Sequence, residues 1–221
     1  MLVPYRVNTL AARSPWANLA LLAINVACFF LIQAEVISED WVGRLILVDW
    51  SPLGLVGYQF VHFDVMHLIG NMLFLWVFGN AINGVLRDWE YLFVYLACGV
   101  LAGATHLLID GHPAVGASGA VSGLLGLYLA IYPKNEITCF YWFFRPGSFD
   151  LKGYLLIIGW FILDVYTAVR GSPGIAAWAH VGGTVAGFGF GILLLKWQRV
   201  HLEEYDHPTI LEIFAPRKET R

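Results

Sequence analysis

The sequence predicts an all-α polytopic membrane protein, a bundle of six transmembrane helices with an interfacial first loop. Three observations predict it. The chain of 221 residues is 58% hydrophobic and only 13% charged, where soluble domains carry roughly 25% charged residues. Six apolar runs approach the roughly 20 residues that cross a bilayer as a helix. Lys and Arg divide sharply between alternate loops, as membrane topology requires. The runs define a core over 16–197, between a short segment, 1–15, and a charged tail, 198–221.

The first run, Trp16–Gln33, follows Arg6 and Arg13 and has no convincing small-x-small cleavage site, so it reads as an uncleaved anchor. The second, His67–Val85, opens on polar residues, and the third covers Tyr91–Ile109. Pro113 precedes the fourth, Val115–Tyr132, and Pro133 stops it. The fifth, Tyr154–Val169, is short; Ser172-Pro173-Gly174 opens the sixth, Ile175–Trp197. With the N-terminus inside, eleven Lys and Arg face inward and two, Arg44 and Arg170, face outward. That split predicts both termini in the cytoplasm.

The longest loop, 34–66, carries Trp41, Trp50, Tyr58 and Phe60 and suits the membrane interface. The inner loop KNEITCFYWFFRPGSFDLK is aromatic and reads as lying at headgroup level. Cys28, Cys98 and Cys139 form no metal or disulfide spacing, and no metal site is indicated. A net charge of −3 suggests no nucleic-acid partner. The lipid bilayer is the partner that this composition requires.

The even-numbered runs all descend from the outer face, so their first residues share a level. The second opens HLIGN, which places His67 and Asn71 four apart on one helix face. Ser118 lies near the start of the fourth and His180 near the start of the sixth. Both sit on the order of 5–10 Å below the outer helix ends at a rise of 1.5 Å per residue. Gly119, Gly123 and Gly126 recur along the fourth run, and Gly183, Gly187 and Gly191 along the sixth. Small faces of this kind often serve packing alone. Here they would also bring a serine hydroxyl within reach of an imidazole, the natural base for a weak nucleophile at neutral pH. Asn71, His67 and the Ser118 backbone N–H are donors that could face a developing oxyanion. GASGA is not the GxSxG elbow, because Ala120 fills its last position.

HFDVMHLIGNMLFLWVFG (62–79), VGASGAVSGLLGLY (115–128) and AHVGGTVAGFGFG (179–191) resemble the signatures of the rhomboid intramembrane serine proteases, in the family's order. The resemblance runs from about Trp16 to Trp197. It implies a rhomboid-like six-helix bundle in which Ser118 is the nucleophile and His180 the general base. It further implies His67, Asn71 and the Ser118 N–H as the oxyanion hole, Gly116 and Gly119 as the motif glycines, and His62 as a tuning residue for the first loop or its hydration. The implied activity is hydrolysis of peptide bonds in or beside transmembrane segments of single-pass membrane proteins, with no metal or cofactor. The short N-terminal segment, without transit-like character, favours a bacterial inner membrane. Two features depart from some members: the first loop has no Trp-Arg pair, and Ser122 stands where an aromatic can stack on the catalytic histidine. Without that stack His180 needs another orienting group.

Asp164 lies inside the fifth run, and an intramembrane carboxylate is a functional candidate. It could reach outer water or a nearby donor, border the substrate entry gap, or orient His180 as a third triad member. His106 and His112 read as interfacial, Asn18 and Asn25 as partners of neighbouring helices, and Arg87, Asp88 and Glu90 as an inner charge cluster that could also fix the turn between the second and third runs. Two other classes compete with the protease. A silent relative that binds transmembrane helices would usually lack the Ser or the His. A small transporter would carry polar groups through the full depth of the membrane, whereas here they gather near one face.

Overall fold

The computed structural model describes residues 2–9, 12–142, 145–171, 174–202 and 207–215. In chain order its elements are β1 (Leu2–Val7), α1 (Trp16–Gln33), α2 (Glu39–Leu45), α3 (Pro52–Gly57), α4 (Val65–Asn83), α5 (Asp88–Ile109) and α6 (Ser118–Ile131). There follow β2 (Glu136–Trp142), β3 (Pro146–Lys152), α7 (Gly153–Arg170), α8 (Ala177–Lys196) and the short α9 (Ile210–Phe214). Ser172 and Pro173, Phe143 and Phe144 of the inner loop, and Arg217, Lys218 and Arg221 of the tail lie outside the described residues.

The fold is mostly helical and polytopic. Among the described residues, α1, α4, α5, α7 and α8 are long and apolar enough to cross a membrane. The fourth expected run differs. Its helix, α6, has 14 residues and is about 21 Å long at 1.5 Å per residue, short of a bilayer's hydrocarbon core of about 30 Å. Residues 115–117, expected inside the helix, form the turn before it, because Gly116 takes φ +113° and donates its N–H to the Tyr58 carbonyl at 2.8 Å. The helix therefore starts late, with Ser118 as its first residue.

Most of α6 is buried, and α8 lies directly against it. A Cβ on Gly183 would collide with the Gly119 carbonyl oxygen, one on Gly187 with that of Gly123, and one on Gly126 with that of Thr184. The two backbones touch without intervening side chains, which only small residues permit.

Asn18 is fully buried and ties α1 to α4 and α5. Its side-chain amide donates to the Leu75 carbonyl at 3.0 Å and to Asn80 Oδ1 at 2.8 Å, while Tyr91 donates its hydroxyl to Asn18 Oδ1 at 2.6 Å. Leu75 opens a π-helical turn, Leu75–Gly79, within α4. Such a turn shifts carbonyls off the regular i to i+4 ladder, and Asn18 supplies one of them with a donor. Asn25, by contrast, bonds back to the Leu21 carbonyl of its own helix.

The inner loop holds an element that the sequence reading missed. β2 and β3 form an antiparallel hairpin, and β1 from the N-terminal segment pairs antiparallel with β2 in a three-stranded sheet, β1-β2-β3. Ile137 and Cys139 of β2 are fully buried. Lys152 pairs with Glu136 across the hairpin at 2.9 Å, and Asn135 donates its side-chain amide to the Asn8 carbonyl at 2.8 Å. At the same end of the bundle, the residues after α8 return to the core. The His201 N–H bonds to the Val85 carbonyl at 3.0 Å, and Arg199 Nε donates to the buried Glu90 carboxylate at 2.6 Å. The inner cluster thus divides: Glu90 caps α5 and holds Arg199, while Asp88 accepts from Asn83 at 2.9 Å.

Candidate active site

The site lies at the opposite end of the bundle, where α4, α6 and α8 begin. Asp64 accepts the His67 N–H at 2.8 Å and caps α4, so His67 sits in its first turn and Asn71 one turn on. Ser118 opens α6, and His180 stands in the first turn of α8. Ser118, His67 and His180 all line one cavity of about 800 Å³. The helices run close beside Ser118 and His180, since a Cβ on Gly119 would be in contact with the Cβ of Ala179 at 3.7 Å.

The turn before Ser118 is gripped from the first loop. Tyr58 accepts the Gly116 N–H on its carbonyl and donates its hydroxyl to the Gly99 carbonyl at 2.7 Å. His62 Nε2 faces the Ala117 N–H at 3.5 Å. Tyr58, expected at the interface, is instead buried beneath Gly119, whereas Trp41 and Trp50 are exposed. Burial, reinforced by the neighbouring His67, lowers the His62 pKa from the usual imidazole value to about 4. A neutral ring leaves Nε2 free to accept, which is the role its geometry gives it.

Gly116 answers two constraints. Its φ of +113° is strained for any residue with a side chain. A Cβ there would lie 2.6 Å from His67 Nε2 and 3.7 Å from Asn71 Nδ2. Both donors therefore converge on the backbone two residues before Ser118. The Asn71 amide spends one hydrogen on the His67 carbonyl at 2.9 Å and keeps the other. As the first residue of a helix, Ser118 has a backbone N–H with no acceptor four residues back. The side-chain donors thus lie by the turn that leads into Ser118, whose own N–H is unpaired within the helix.

Asp164, on α7, has its Oδ1 3.1 Å from His180 Nδ1. Of the surroundings left open for this carboxylate in the sequence, the contact present is with His180. Arg170, on the same helix, lies instead over the Tyr166 ring. His106 and His112, expected at the interface, line the cavity wall; His106 is buried and bonds to the His112 carbonyl at 2.9 Å, while His112 pairs with Asp110. Among the described residues no group of three or more His, Cys, Asp or Glu side chains is arranged to hold a metal ion.

The arrangement presents a hydroxyl, an imidazole and converging N–H donors on one cavity, the elements of acyl transfer. The family model of the Rhomboid domain matches residues 49–197. The chain belongs to the rhomboid family. It is 29% identical over 196 residues to Rhomboid protein 1, mitochondrial, of Saccharomyces cerevisiae, covering 80% of this chain and 53% of that protein. It is 28% identical over 132 residues to Rhomboid protease GluP of Bacillus subtilis, covering 58% and 23%, respectively. The human Presenilin-associated rhomboid-like protein, mitochondrial, is 26% identical over 199 residues, covering 78% and 48%. The chain spans about half or less of the length of these relatives.

Proposed function

We propose that this protein is an intramembrane serine endopeptidase that cleaves single-pass membrane proteins in or beside their transmembrane segments. The observation that carries the reading is the shared cavity: Ser118, His180 and His67 come from three different helices and line one space. In the proposed reaction, His180 Nε2 takes the Ser118 Oγ proton as Oγ bonds to the scissile carbonyl carbon. His67, Asn71 and the Ser118 N–H hold the oxyanion. His180 then protonates the leaving amine; water, deprotonated by His180, bonds to the acyl carbon, and Ser118 Oγ leaves with the proton that His180 returns.

Family membership and the name of the Bacillus subtilis protease support this class of activity. The distribution of Lys and Arg supports both termini on one side, taken as the cytoplasmic side of an inner (plasma) membrane, with the cavity opening to the outer face. The core is assigned to 16–197, between a cytoplasmic segment and a cytoplasmic tail. Labelling of the purified protein by a fluorophosphonate tests the chemistry. Labelling of wild type, lost in Ser118→Ala and His180→Ala, is the expected result. Absence of labelling in folded wild type overturns the reading in favour of a silent helix-binding relative.

A further inference from the structure

We infer that Asp164 is a positioning residue for His180, holding the imidazole as the base rather than bordering a gate. The inference rests on the reading of Ser118 and His180 as nucleophile and base, and deepens it. A carboxylate cannot donate, so across 3.1 Å His180 Nδ1 carries the hydrogen and Asp164 Oδ1 accepts it. That bond selects the tautomer in which Nε2 has a free lone pair. Nε2 is the nitrogen that must take the serine proton, and the same carboxylate stabilises the imidazolium once it has done so.

Three further observations support the role. First, no aromatic ring stacks on His180 among the described residues; Phe63 and His62 both pack on His67 instead, and the position one turn after Ser118 is Ser122. Asp164 is then the group that fixes the ring. Second, Asp164 has no competing partner among the described residues, since the nearest cation along its helix, Arg170, lies over Tyr166. Third, side-chain exposures of 27% for Asp164 and 21% for His180 leave the pair partly shielded. Solvent therefore screens the contact only in part. The pairing also couples α7 to the site, because the two residues stand on consecutive antiparallel helices.

The test compares Asp164→Asn and Asp164→Glu with wild type by kinact and KI for fluorophosphonate labelling. In Asp164→Asn we expect kinact to fall roughly 10²-fold with KI within twofold, because the amide no longer selects the reactive tautomer. Asp164→Glu should recover most of the rate. Should Asp164→Asn fail to fold, Asp164→Ser removes the charge with a small polar side chain and carries the same expectations. Wild-type kinact in a folded, uncharged variant overturns the inference while leaving the serine chemistry intact. Failure of wild type itself to label overturns the proposed function instead.

Discussion

Replacing Gly183 by alanine adds one methyl group where α8 crosses α6, and the structure predicts a large loss of activity. The new Cβ would overlap the Gly119 carbonyl oxygen and lie 3.1 Å from the Gly119 carbonyl carbon and 3.3 Å from the Gly123 nitrogen. All three are backbone atoms, so no side chain can swing aside. The helices must part by about an ångström, and overpacking of this kind costs about 1–3 kcal/mol. Gly119 follows Ser118 directly, and Gly183 lies one turn below His180, so the separation falls on the reacting pair. A misplacement of about 1 Å costs on the order of 10²-fold in rate. The assay is fluorophosphonate labelling beside thermal unfolding in detergent. Gly189→Ala, on the same helix with nothing within 4 Å of its added Cβ, is the control and should label at the wild-type rate. A folded Gly183→Ala that also labels at the wild-type rate would refute the argument that backbone contact sets the alignment of the site.

Two further expectations concern stability. His62 is buried neutral, with its pKa lowered to about 4, so between about pH 6.5 and 4 the unfolded chain binds a proton that the folded one refuses. Stability should therefore decline as pH falls through that window, by up to about 3 kcal/mol from this group; comparing apparent melting temperatures at pH 7.5 and 4.5, the drop should be smaller in His62→Gln. Arg199→Met removes the cation from the buried Glu90 carboxylate and should cost about 1–3 kcal/mol, seen as a lower melting temperature with little change in the labelling rate of the folded protein at the far end of the bundle.

The helical part of the fold was largely legible because hydropathy and loop charge act over whole segments. Trp16–Gln33 has the same bounds in sequence and structure, and the other long helices differ by a few residues. Parity placed Ser118, His67 and His180 at one level, and they line one cavity. What escaped depends on contacts rather than composition. ITCFYW in β2 has the β-branched and aromatic residues of a strand, yet in so apolar a chain the same residues read equally well as interfacial. Its partner β1 lies far away in sequence and includes a proline. Tyr58 looked like its exposed neighbours Trp41 and Trp50 until α5 and α6 closed over it. The pairing of Asp164 with His180 depends on how α7 is rotated about its axis, which helical spacing along one segment does not determine.

The pairing of β1 with β2 sets an order of events during synthesis. Val7 must meet Ile137, so the second strand leaves the ribosome about 130 residues after the first. At 5–20 residues per second that interval is on the order of ten seconds. Helices α1 to α6 have by then been made. Throughout that time β1 is an unpaired strand carrying open N–H and C=O groups, the kind of edge to which foreign strands add. When it closes, the strand before α1 is clasped to the hairpin that links the helix of Ser118 to the helix of Asp164, and its groups facing β2 are paired.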